Sequence, residues 1–155
     1  METAQPGLVT DIAGLRDLAG AELGHTGWAE MTQEHVDEFA DATGDYNFIH
    51  VDAERARATP YGGTIAHGFL TLALLAPATQ HLLEVTDAHV KINYGLDRVR
   101  FPAPLPVGKR YRSSAKIAEV TVLEGGVQVK VAASVEVEGS DKPALVAELL
   151  LRFYA

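Results

Sequence analysis

Within six residues, Asp45-Tyr46-Asn47-Phe48-Ile49-His50 sets out a carboxylate, an amide and an imidazole. Activating a water molecule needs such a set: one group polarises or deprotonates it, a second handles the other proton, and a third fixes orientation. Histidine titrates near neutral pH, and a carboxylate beside it can hold its tautomer or share the proton traffic. Asp45 and His50 stand five positions apart, which on an α-helix would splay them by roughly 140°. A common site therefore needs a turning loop, and Gly44 with the turn-prone Asp45 and Asn47 supplies one. The same residues also suit a purely structural role, with Asp45 opening an Asx-turn, Asn47 capping the loop and His50 half-buried at the surface. Spacing alone leaves both readings open.

The elements that would position this loop follow from periodicity. Thr32 is placed as an N-cap, with Val36, Phe39 and Ala40 forming an apolar stripe behind it. Gly44 suits the left-handed end of that helix. A small charged helix over Ala53–Ala58 is expected next, then a break at Pro60, Gly62 and Gly63. Ile65 to Ala76 is apolar almost all the way round, which predicts a long, enclosed helix that Pro77 should bend or end. Ahead of all this, residues 1–24 read as a lead-in with one short helix marked by Leu8, Ile12, Leu15 and Leu18. A first strand is expected over His25–Glu30.

From His89 the pattern changes to long segments rich in Val: His89–Phe101, Tyr111–Leu123, Gly126–Glu138 and Ala144–Tyr154. Gly125-Gly126 and Glu138-Gly139-Ser140-Asp141 mark hairpin turns. Helices first and antiparallel strands after predict an α+β domain. A curved antiparallel sheet wrapped around one long buried central helix accounts for both features, which is the hot-dog arrangement. No repeat or linker divides residues 1–155, so one domain is expected.

Composition narrows the function classes. The 155 residues are 47% hydrophobic and contain no cysteine, which removes disulfides, zinc-thiolate sites and thiol nucleophiles together. The net charge of −8 argues against nucleic-acid and anionic-membrane binding. The first residues lack a basic-then-apolar signal pattern, and the apolar run Phe69 to Pro77 is far short of the ~20 residues of a membrane span. The expected location is cytoplasmic.

Three blocks carry a family resemblance. Gly44-Asp45-Tyr46-Asn47-Phe48-Ile49-His50, with Asp52 following, resembles the Gly-Asp-x-Asn-Pro-Ile/Leu-His signature of the MaoC-like (R)-specific enoyl-CoA hydratases, the hydratase 2 family. Thr64-Ile65-Ala66-His67-Gly68-Phe69-Leu70-Thr71 is similar to the family's second block. Asn93 to Phe101, with Pro104 and Gly108, is similar to its core-crossing strand. One position departs: Phe48 stands where the family has Pro, which frees φ and restores an N–H donor.

The resemblance implies hydration of trans-2-enoyl thioesters to (R)-3-hydroxyacyl thioesters. Asp45 and His50 would activate the water, Asn47 would orient the pair, and the backbone N–H of Gly68 would stabilise the thioester oxyanion. It further implies no metal and no cofactor beyond the coenzyme A or phosphopantetheine of the substrate, and assembly as a homodimer or larger homo-oligomer. Tyr46, Phe48 and Phe69 are candidates for an acyl tunnel or for plain core. His67 is a candidate substrate contact or a structural histidine. Arg98 and Arg100, in a basic cluster with Lys109, Arg110 and Arg112, are candidates for binding the carrier's phosphates or for an ordinary charged strand face. His25, His35, His81 and His89 lack metal-ligand spacing among themselves.

Rival readings remain. A hot-dog thioesterase often carries its carboxylate in the central helix, where Ile65–Ala76 has none. A hydroxyacyl-carrier dehydratase of the fatty-acid synthesis type pairs its His with Pro and a helical Glu, and neither accompanies His67. A non-catalytic acyl-binding subunit would not need an intact Asp45/His50 pair. A serine hydrolase would need a Gly-x-Ser-x-Gly elbow, and none is present.

Overall fold

The chain opens with a three-residue strand, β1 (Leu8–Thr10), and a single helical turn, α1 (Ile12–Leu15), capped by the Asp11 carboxylate on the Gly14 amide. These coordinates are a computed structural model describing residues 7–155. The first six residues of the expected lead-in lie outside the described residues. The strand expected over His25–Glu30 is two short pieces, β2 (Glu22–His25) and β3 (Ala29–Glu30), both hydrogen-bonded to the same long strand.

Helix α2 (Gln33–Thr43) begins at the expected cap: the Thr32 hydroxyl accepts from the His35 amide at 3.2 Å. It ends at Gly44, whose φ of 82° is the left-handed conformation that glycine adopts without a Cβ penalty. Two short helices follow, α3 (Phe48–Val51) and α4 (Ala53–Arg57), the second capped by Asp52 on the Arg55 amide.

The apolar stretch after Gly63 departs from expectation. Ile65 and Ala66 are extended, with Ile65 bridging Pro106, and the helix starts only at Gly68. It comes in two pieces, α5 (Gly68–Ala73) and α6 (Leu75–Leu82), separated at Leu74. Pro77 neither bends nor ends α6. It lies in that helix's first turn, where a missing N–H costs nothing, and the interruption falls three residues upstream because Pro77 cannot donate to the preceding turn. Nor is the helix enclosed all round: Leu70, Leu75, Ala78 and Leu82 are buried, whereas Phe69 is 73% exposed.

After α6 come β4 (Leu83–Val85), paired in parallel with β1, and the four long strands β5 (Val90–Arg100), β6 (Arg110–Leu123), β7 (Gly126–Val137) and β8 (Leu145–Tyr154). The main sheet runs in the order β2-β6-β7-β8-β5, antiparallel throughout, with β3 also on β6. Register shifts at Asn93/Gly95, Leu96/Arg98 and Ile117/Glu119 bend the strands, as bulges do, and curve the sheet around the helices.

One face of β7 and β8 alternates strictly inward, with Val127, Val129, Val131, Val135, Leu145, Leu149, Leu151 and Phe153 buried against Leu75 and Leu82. A second cluster of Met31, Val36, Ala66, Leu70 and Leu105 fixes α2 and the start of α5 beside the sheet. The result is the α+β hot-dog architecture, with a curved sheet on a central helix. Among the described residues, no helix is long and apolar enough to cross a membrane.

Candidate active site

The Gly44 cap turns the chain out of α2, and the next residues bind one another. The Asp45 carboxylate accepts from the Asn47 amide at 3.2 Å, an Asx-turn, while the Asn47 side-chain oxygen caps α3 through the Ile49 amide at 3.5 Å. The structural use of Asp45 and Asn47 foreseen as one alternative is therefore present. It does not remove Asp45 from the site. Asp45 stays exposed, and its carboxylate and the rings of His50 and His67 place a potential donor atom each within 4.8 Å of one another.

His50 is not a surface residue. It is 7% exposed, and its Nδ1 lies 2.7 Å from the Ile65 carbonyl. A carbonyl only accepts, so Nδ1 carries the hydrogen and Nε2 keeps a lone pair. Burial pushes the imidazole below its ordinary pKa and the adjoining His67 adds to this, while the Ile65 hydrogen bond and the Asp45 charge oppose it. His50 is thereby favoured as a neutral base.

His67 is 1% exposed. Its Nε2 donates to the main-chain oxygen of Asp45 at 2.9 Å, and its ring stacks on His50 with centroids 3.9 Å apart at 28°. Phe39 supports it from α2, 4.9 Å away. One nitrogen of each ring is already committed to a carbonyl.

Gln33 was not singled out by the sequence. It ties the assembly together: its amide donates to the His50 carbonyl at 2.7 Å and to Asp37 at 2.8 Å, and its oxygen accepts from Thr64 at 2.6 Å. Contacts spanning 17 and 31 residues leave no local signature, and in sequence Gln33 is merely a polar residue in a first turn. The Ile65 amide completes the frame by donating to the Ile49 carbonyl at 3.0 Å.

Gly68 follows His67 directly and opens α5, where the first backbone N–H groups have no intrahelical acceptor. A Cβ there would sit 3.3 Å from the Phe101 ring, so only glycine leaves the approach uncrowded. Beside it a cleft of about 360 Å³ is lined by Tyr61, Ile65, Gly68, Thr71, Phe101 and Leu105, among others. A second, apolar groove of about 200 Å³ lies between the helices and β5, floored by Leu72, Ala73, Ala76, Gly95 and Leu96.

The remaining candidates separate. Tyr46 is 57% exposed and hydrogen-bonds Asp41 at 2.8 Å, Phe69 is exposed, and half-buried Phe48 lies under Arg55 at 4.2 Å, so none of the three is core. The basic cluster divides. Arg110 pairs with Glu138 and Arg112 with Glu136, each over Trp28, whereas Arg98 and Arg100 line a trough of about 410 Å³ with Lys116, Ser114 and Ser134. That trough shares no lining residue with the cleft at Gly68.

The MaoC-like domain family matches residues 16–139. The chain belongs to that family. It is 52% identical over 145 residues to the 3-hydroxyacyl-thioester dehydratase Z of Mycobacterium tuberculosis, covering 93% of this chain and 96% of the relative. Among solved structures, a monoamine oxidase regulatory protein from Archaeoglobus fulgius superposes with a TM-score of 0.79 at 22% identity, over 97% of this chain and 98% of the other. The (R)-hydratase of A. caviae involved in PHA biosynthesis gives 0.70 at 20% identity, over 86% and 94%. These two likenesses establish the fold. Family and relative together place the chain among MaoC-like hydratases and dehydratases.

Proposed function

We propose that the protein catalyses reversible hydration of trans-2-enoyl thioesters to (R)-3-hydroxyacyl thioesters, using Asp45 and His50 as a water-activating pair. The observation that carries this reading is a ring nitrogen of a buried, neutral-leaning His50 within 4.8 Å of the Asp45 carboxylate, on a ring whose Nδ1 is bound to the Ile65 carbonyl. A single water bridging the two groups by ~2.8 Å hydrogen bonds would hold them ~4.6 Å apart, inside that bound. Water attacks the β-carbon as His50 and Asp45 take up its proton, and the α-carbon is protonated on the same face. Asn47 orients Asp45 through its backbone amide, with its side chain engaged as a cap.

Charge accumulating on the thioester oxygen is met by the Gly68 N–H at the start of α5. The acyl chain leaves along Phe69 toward the apolar groove floored by Ala73 and Ala76. The reaction so drawn needs no cofactor beyond the thioester's own coenzyme A or phosphopantetheine. Arg98 and Arg100 are unaccompanied by Arg110 and Arg112 in their trough and serve the carrier's phosphates only if its tail crosses the edge of β5.

We further propose a homodimer built on β5. This edge strand is eleven residues long, is unpaired on one side among the described residues, and exposes Val90, Ile92, Tyr94 and Leu96. An exposed apolar edge of that length is an aggregation hazard unless a partner covers it.

The test is direct. Purified protein mixed with crotonyl-CoA should lose enoyl absorbance, and chiral analysis should return the (R)-3-hydroxy product. Release of free thiol without hydration would favour a thioesterase instead.

A further inference from the structure

Asp45 and His50 carry the proposed proton chemistry, and His67, which that chemistry does not use, touches both. It reaches the Asp45 turn through Nε2, stacks on His50, and directly precedes Gly68. We infer that His67 is a positioning residue that holds both members of the water-activating pair at once, the Asp45 turn by a hydrogen bond and the His50 ring by stacking.

The chemistry of the ring supports the inference. A phenyl ring would fill the same space beside Phe39 but would forfeit the hydrogen bond to the Asp45 carbonyl, and an amide would keep a donor but not the stack. Among the natural side chains, an imidazole supplies a donor for the Asp45 turn and a flat ring of the size of the His50 ring it stacks on.

The stacked arrangement has an electrostatic consequence. A proton arriving on His50 faces a second imidazole at 3.9 Å, which disfavours the cation and preserves the base. The other groups around His50 are Asp45, which favours the cation, the neutral Gln33 with Asp37 attached to it, and Arg55, held over Phe48.

The inference rests on the hydratase reading for its kinetic arm only. Two variants separate the functions of the ring. His67→Gln keeps an N–H donor near the Asp45 carbonyl without a ring to stack; His67→Phe keeps the stack without a donor. Loosening the Asp45 turn in His67→Phe should lower kcat on the order of 10²-fold, and His67→Gln should recover most of that loss at alkaline pH. In both, the acid limb of kcat/KM should move to higher pH, and an NMR titration of the His50 ring should move with it. Should His67→Gln leave the His50 titration where it is in the wild type, or His67→Phe keep wild-type kcat, the inference is wrong. If His67→Phe does not fold, His67→Gln decides. If the wild type hydrates no enoyl thioester, the hydratase reading fails while the NMR titration still decides the role of His67.

Discussion

Nδ1 of His50 donates to the carbonyl oxygen of Ile65 across 2.7 Å, joining a four-residue helix to the extended segment that leads into α5. That one bond fixes which ring nitrogen is free. It also sets the His50 ring relative to Gly68, three residues beyond Ile65, so the proposed base and the proposed oxyanion donor are spaced by a single short stretch of backbone.

If the pair activates water, removing either proton-handling group should lower kcat for crotonyl-CoA by about 10²–10⁴-fold. Asp45→Asn and His50→Ala are the variants, with far-UV circular dichroism checking that the fold persists. Near-full turnover in either would end the assignment.

At Gly68, a methyl group meets Phe101 at 3.3 Å. Gly68→Ala should therefore displace the start of α5 and weaken the oxyanion contact, with a loss in kcat approaching the roughly 10²–10³-fold of a deleted donor. Combining it with Phe101→Leu should restore part of the rate. No recovery in the double variant would mean that Phe101 is not what Gly68 accommodates.

His50 also couples stability to pH. Burial first, then His67, lowers its folded pKa. Below the unfolded value of about 6.5, the unfolded chain therefore binds the proton more readily than the folded one. The contribution of His50 is present above that pH and declines as pH falls toward the folded value. Urea unfolding at stepped pH should show wild-type stability falling more steeply below neutrality than that of His50→Gln; parallel curves would contradict the assigned direction.

The apolar edge gives a test of assembly. Ile92→Lys and Tyr94→Lys place charge on β5 at residues now 42% and 56% exposed. Sedimentation should find a dimer in the wild type and monomer in the double variant. A wild-type monomer would overturn the proposed β5 interface.

Much of this was legible beforehand because it is local. The Thr32 cap, the Gly44 terminus and the four long strands depend on neighbouring residues, and each lies where its own sequence puts it, within a residue or two. What was not legible is non-local. Nothing near Gln33 announces that it will hold His50 and Thr64, and nothing near His67 announces a stack on a residue 17 positions earlier. The expectation of one enclosed helix failed for a related reason: apolar composition cannot distinguish a face covered by the chain's own sheet from one left open, and Phe69 lies on the open side.

The interruption at Leu74 leaves a seam through the middle of the molecule. Upstream of it, α5 begins at Gly68 and is tied to the histidines and the Asp45 turn. The apolar groove straddles the break, lined by Leu72 and Ala73 from α5 and by Ala76 from α6. If the proposed acyl path holds, descendants of this chain that accept a longer acyl group would have to change both helical pieces, and the α5 changes would fall within one turn of the segment tied to the histidines.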